Sequence, residues 1–317
     1  MNKKSQQMIT ANRLPLMIFF VFIIAIYGCK GDHQNLGSLQ QATTAPVQAT
    51  MISDKSNKTA AIKPYYTVRY ASQNCNFLIC INDVPVFTHT DGGAINSEMP
   101  INHLILHSGS QKIKYVLLPL NGQTSLHIKS SLDIKIIKSD ADDISNSTDV
   151  ATFKTLSATQ PKQSQLQEIQ QFNAAVPYQV EGWQHGADLQ GAPSVHSELL
   201  HAYQDILRVI KAKNFTQLKK YFALKVKEAD IATYSDDSST AEDWKEFTDY
   251  LSKPGAHFTL DTANSKLYVF GDGKLVTLLT PNRQSALRIY DPKDKSEYLL
   301  PLYFYRKSAG QPLTLIR

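Results

Sequence analysis

The stretch Tyr65-Tyr66-Thr67-Val68-Arg69-Tyr70, followed by Cys75-Asn76-Phe77-Leu78-Ile79-Cys80-Ile81 and by Val84-Pro85-Val86-Phe87, decides the fold class of the first half of this chain. Tyr66, Val68 and Tyr70 alternate with smaller or polar residues, and so do Cys75, Phe77, Ile79 and Ile81. Period two places alternate side chains on opposite faces of an extended chain, so each run reads as a half-buried strand. The pattern continues outward through residues 101–107, through Ile113, Tyr115 and Leu117, and through Leu126 with Ile128. Leu132, Ile134 and Ile136 and the run 150–156 complete it. Asp91-Gly92-Gly93, Ser108-Gly109-Ser110 and the acidic stretch 140–149 separate the runs as surface loops. Short strands with turn clusters about every 8–12 residues predict an all-β antiparallel sandwich of about seven or eight strands, over residues 63–158.

Upstream of the strands lies a different kind of sequence. Residues 14–25 are an apolar run preceded by Lys3, Lys4 and Arg13 and no acid. The run is short of the roughly 20 residues that cross a bilayer and has the form of a signal-peptide core. It ends in Ile26-Tyr27-Gly28-Cys29, which resembles the lipobox of bacterial lipoproteins. The resemblance implies removal of residues 1–28, diacylglyceryl modification of Cys29 and acylation of the new amino terminus. Two or three acyl chains on one residue amount to a permanent membrane anchor. The alternatives are a short membrane anchor or a plain secretory signal in which Cys29 is incidental. Lys30, in the position after the cysteine, implies the outer membrane in a Gram-negative cell, facing the periplasm or the cell surface. Residues 29–62 then form a flexible tether, because they carry too little bulky apolar surface to offset the entropy of ordering. A coil of that length reaches on the order of 30 Å.

Downstream, Leu166, Ile169, Phe172 and Val176 recur at helical spacing, which predicts a connecting helix within a linker spanning 159–190. Residues 178–190 read as irregular or a brief strand. From 191 to 317 the reading is an α+β domain. Leu199, Tyr203, Ile206 and Ile210 form one apolar stripe. Asn214 with Gln217 signals the start of a second helix, and Thr240 with Asp243, then Trp244, Phe247 and Leu251, a third, stopped by Pro254-Gly255. Strands are expected at 257–260, 266–270, 274–280, 286–290, 298–305 and 313–316, with Gly271-Asp272-Gly273 as a hairpin turn. This order, helices first and an antiparallel meander afterwards, is similar to the layout of cystatin and NTF2-like folds. Such a likeness implies helices covering one face of a sheet, and nothing about chemistry.

The charges number 33 Lys and Arg against 28 Asp and Glu, with three of the bases in the leader, so the remainder is near neutral. Nothing in that balance points to nucleic acid, which calls for a basic stripe. Cys75 and Cys80, in one regular strand, would stand about 16 Å apart, beyond disulfide reach. They read as small buried hydrophobes, a bridge needing a bulge or turn at Asn76. Nucleophile elbows, Ser-x-x-Lys motifs and phosphate loops are missing from the sequence. His103 and His107 would lie about 13 Å apart on a strand, too far to chelate one ion, and His196 and His201 point apart on their helix. No cofactor or metal is therefore expected, and no catalytic residue is assigned.

Two clusters remain as candidate sites. The acidic residues Asp236, Asp237, Glu242, Asp243, Glu246 and Asp249 contain only Lys245 as counter-charge. They read as helix-start acids that the dipole favours, as a docking face for a basic protein, or as paired carboxylates for glycan hydrolysis or calcium binding. Tyr303 and Tyr305 share one strand face opposite Phe304, and read as half-buried sheet positions or as a platform for sugar rings. The expected function is non-catalytic binding of another envelope protein, with an immunity-type inhibitor of an envelope toxin as its concrete version. The alternatives are a wall-glycan-binding protein and a carboxylate-dependent glycan hydrolase.

Overall fold

The computed structural model describes residues 62–160, 162–293 and 296–317. The leader, Cys29 and nearly all of the tether lie outside the described residues. Nine strands come first: β1 (Pro64–Gln73), β2 (Asn76–Ile81), β3 (Val84–His89), β4 (Ile95–Pro100), β5 (Gly109–Leu118), β6 (Ser131–Asp140), β7 (Asp143–Thr152), β8 (Leu156–Ser157) and β9 (Leu166–Ala174). They pair antiparallel in two sheets. One runs β4-β1-β6-β7 with β8 also on β6, and the other runs β3-β2-β5-β9. Tyr66, Val68 and Tyr70 of β1, with Ile134 and Ile136 of β6, share a core with Phe77, Ile79 and Ile81 of β2 and with Ile113, Tyr115 and Leu117 of β5. These alternating residues are thus the inner faces of an antiparallel sandwich, whereas Leu126 and Ile128, also read as a strand, lie in the loop between β5 and β6 with Ile128 54% exposed.

Three local expectations give way to tertiary pairing. Residues 166–174, expected as a helix, are β9, hydrogen-bonded along β5 from Leu117↔Leu166 to Gly109↔Ala174. The helical spacing there was coincidental: Phe172 and Ala174 are buried while Ile169 stays 53% exposed, and β5 needed a partner for its backbone groups. Residues 102–104 form a single 3₁₀ turn in place of a strand, because the Asn102 side chain satisfies backbone groups elsewhere. Much of the expected 140–149 loop is the exposed strand β7, reached by a tight turn at residues 141–142.

The second half contains α1 (Val195–Lys211), α2 (Phe215–Thr233) and α3 (Asp237–Leu251). Asn214 caps α2 through its side-chain oxygen, which accepts from the Gln217 N–H at 3.0 Å. The strands are β10 (His257–Leu260), β11 (Lys266–Phe270), β12 (Leu275–Leu279), β13 (Leu287–Asp291), β14 (Ser296–Leu299), β15 (Phe304–Tyr305) and β16 (Thr314–Leu315). They divide into two sheets, β10-β13-β14 and β11-β12-β15-β16, where a single meander was expected. The β11–β12 hairpin turns at Gly271 and Gly273, both at positive φ, and a Cβ on Gly271 would stand 2.7 Å from the Trp183 ring.

Strand β12 is buried along its whole length. Leu275 and Leu279 belong to the hydrophobic cluster of the sandwich, whereas Val276 and Leu278 belong to the cluster beneath the helices. Around β15 the same division holds, with Tyr303 and Tyr305 in the first cluster and Phe304 in the second. The sheet β11-β12-β15-β16 therefore lies between the sandwich and the helices. Its turn is tied to the sandwich by the Gly271 N–H donating to the Asp83 carbonyl at 3.2 Å and by a Lys112–Asp272 ion pair of 2.6 Å.

Candidate functional site

The acidic segment follows from how α3 begins. Asp236 is extended at the helix N-cap, where its side chain accepts from the Ser239 N–H at 2.8 Å, and the Asp236 N–H donates to Ser239 Oγ at 3.1 Å. This reciprocal capping box starts α3 at Asp237, earlier than the Thr240 start read from sequence. Asp237 sits in the first turn, where the helix dipole favours an anion. At the far end of the segment, Asp249 pairs with Lys245 one turn back at 2.5 Å. Three of the six acids thus have structural roles.

Glu242, Asp243 and Glu246 are what remains, and no ion pair engages any of them among the described residues. Asp230 of α2 joins them, its charge acting on Asp243. Oxygen Oδ2 of Asp243 and oxygen Oδ1 of Asp230 are both closed off from solvent with no hydrogen-bond partner. Burial, reinforced by the charges of Glu246, Asp230 and Glu242, pushes the Asp243 carboxyl up to about 6. Burial also raises Asp230, a rise that the nearby Thr240 hydroxyl partly opposes. Glu242 and Glu246 remain exposed at the edge of this pair. The helix itself is held mainly from below: Phe247 and Leu251 are its buried residues, and Trp244 packs with Phe222 and Phe247 in an aromatic triangle.

Tyr303 and Tyr305 offer no platform for sugars. They do share a face opposite Phe304, but they are only 8% and 6% exposed and line the first hydrophobic cluster. Tyr303 meets the Phe270 ring edge-on at 5.9 Å. The layer that covers these tyrosines comes from the distant sandwich, which no local pattern announces. Cys75 and Cys80 are free and buried, and burial lifts their thiols to about 11 and about 12. Among the described residues no group of three or more His, Cys, Asp or Glu side chains is placed to hold a metal ion, and no helix is long and apolar enough to cross a membrane. His107 is half-buried with Nε2 2.9 Å from Gln184; His103 is half-buried as well, and burial of its ring with the nearby charges of Arg317 and Lys225 depresses it to about 3.

A second polar cluster was not legible in the sequence. Asn102 is fully buried; its Oδ1 accepts from the Tyr66 N–H at 2.6 Å and its Nδ2 donates to the carbonyls of Pro64 and Ala232. Beside it, Arg317 Nη1 donates to Glu228 Oε2 at 2.8 Å, Arg317 Nε donates to the His103 carbonyl at 2.8 Å, and the guanidinium lies 5.1 Å over the Trp183 ring. The other Glu228 oxygen accepts from the Gly182 N–H at 3.0 Å. Gly182 has φ +59, and a Cβ there would stand 2.5 Å from Leu106. These contacts join β1, the 3₁₀ turn, α2 and the segment just after β16 into one buried seam. Only Gly182 left a local trace, as a glycine beside a tryptophan in an irregular stretch.

No protein-family model matches this chain, and neither a curated protein nor a solved structure is significantly similar to it.

Proposed function

We propose that the mature chain is a lipid-anchored protein of the bacterial envelope that binds another protein without catalysing a reaction, and that the acidic face of α3 is its contact surface. The observation that carries this reading is the cluster of Glu242, Asp243, Glu246 and Asp230, four carboxylates from two helices with no ion pair among the described residues. Unneutralised charge at a rim accelerates association with a partner of opposite sign and rejects others. The anchor and orientation follow from the lipobox-like sequence at Cys29 and from Lys30, and the tether places the folded part beyond the lipid surface. The partner is a protein with a basic contact surface. In the narrower version it is a toxin delivered into the envelope, which this chain neutralises in the manner of immunity lipoproteins.

Charge reversal at the two exposed positions, Glu242→Lys with Glu246→Lys, tests the surface. It is expected to abolish capture of the partner while leaving the unfolding transition unchanged. Unchanged capture contradicts the assignment. The anchor is tested separately by Cys29→Ala, which is expected to move the protein from the membrane fraction to the soluble fraction.

One observation favours a second reading. A carboxyl held up to about 6 beside other acidic side chains is the pattern of a general acid in glycoside hydrolysis. Release of soluble fragments from purified wall glycan that disappears in Asp243→Asn would establish it over the binding reading.

A further inference from the structure

We propose that docking of α3 is linked to a proton: the helix is held more firmly in acid than in neutral solution because Asp243 packs against α2 without a counter-charge. The geometry comes first. Asp243 Oδ2 on α3 and Asp230 Oδ1 on α2 are both shut off from solvent and unpartnered. The groups acting on Asp243 from its own helix are Glu242 and Glu246, and from α2 the group is Asp230, so all three are acids. Asp230 in turn feels the charge of Asp237, and the Thr240 hydroxyl nearby donates to the Asp236 carbonyl at 3.0 Å. The cation nearest in sequence, Lys245, is engaged by Asp249 on the exposed side. Lys253, beyond the helix end, is engaged by Asp291 at 3.0 Å.

Removing an ionised carboxylate from water without a partner is costly, and the cost vanishes when the group is protonated. A carboxyl raised from 3.8 to about 6 in the docked state binds a proton more tightly there than when the helix is released. Docking is therefore unpenalised below the released value, loses ground as pH climbs between the two values, and carries the full penalty above about 6. The buried attachment of α3 rests on Phe247 and Leu251 with the Phe222–Trp244–Phe247 triangle, and that attachment is the same at every pH. The penalty therefore falls on the opening of this one helix. The inference does not depend on the identity, or the existence, of a partner.

Amide hydrogen exchange of the full chain tests it, with rates corrected for the intrinsic pH dependence. Between about pH 5 and about pH 7.5, the amides of α3 are expected to lose about five-fold in protection, a figure reduced for solvent screening of a part-exposed carboxyl. Those of α1 should not change. Asp243→Asn should abolish the dependence, and Asp230→Asn, which removes the facing charge, should reduce it while keeping its sign. Equal protection of α3 at the two pH values, or an unchanged dependence in Asp243→Asn, overturns the proposal.

Discussion

The molecule buries carboxylates in two places, and treats them in opposite ways. At the seam between the sandwich and α2, Glu228 has a partner for each oxygen, the Arg317 guanidinium on one and the Gly182 N–H on the other. Between α2 and α3, Asp243 and Asp230 each turn an oxygen away from water and meet other acids. Both arrangements cost desolvation, and only the first recovers it through paired geometry. A paired carboxylate of this kind fixes how two layers sit, even though Arg317 Nη2 beside it is itself buried without a partner, whereas an unpaired carboxylate leaves an element weakly held and a field directed outward. The difference teaches where to look for function in a chain without a recognisable motif. A buried carboxylate with both oxygens partnered serves the structure, whereas the unpartnered oxygens of Asp243 and Asp230 leave a place that a proton can complete.

The comparison is broken most forcefully at Glu228. Glu228→Gln leaves the buried Arg317 charge uncompensated, with an expected loss of about 3–5 kcal/mol in a urea-unfolding measurement. The paired replacement Glu228→Leu with Arg317→Met should recover most of it, and failure to recover would mean that the seam acts through more than the ion pair. Next in size is Tyr303→Ala, a cavity in the sheet between sandwich and helices, expected to cost about 3 kcal/mol by the same measurement. A variant of normal stability that lost affinity for wall glycan would restore the sugar-binding reading. The contrast with Glu228 sharpens at Asp243. Asp243→Asn is expected to stabilise the protein at neutral pH by up to about 1 kcal/mol, after allowance for solvent screening, and to have no such effect near pH 4. Smallest is Glu242→Lys, an exposed position where stability should move by less than about 0.5 kcal/mol in a thermal melt.

Legibility in the sequence followed the range of the interactions. The alternation of Tyr66, Val68 and Tyr70 with that of Phe77, Ile79 and Ile81 was sufficient for the sandwich, because period two is set by the backbone alone. The Asn214 cap and the Gly271-Asp272-Gly273 turn were legible for the same reason. Strand β9 was not, since Leu166, Ile169 and Phe172 fit a helical stripe, and only the unpaired edge of β5, about 50 residues away in sequence, decides otherwise. The acidic residues of α3 were visible as a group, but their sorting into caps, ion pair and unpaired face needed the Ser239 and Lys245 geometry. Asp230 belongs to the preceding helix, and its place opposite Asp243 depends on how the two helices pack. The seam was the least legible part, because Asn102, Gly182, Glu228 and Arg317 are scattered over the chain and meet only once every layer is in place.

The central functional proposal is that the protein is lipid-anchored and that it presents the unpaired acidic face of α3 to a partner. The most direct test is crosslinked capture from intact cells with the full chain, native at Cys29, set against the Glu242→Lys, Glu246→Lys variant. A third sample reverses two acids on the exposed strand β7, Asp143→Lys with Asp149→Lys. The account predicts one stoichiometric protein partner with the native chain and with the β7 variant, and its loss with the α3 variant. Equal recovery from all three, or recovery of wall material alone, would contradict it.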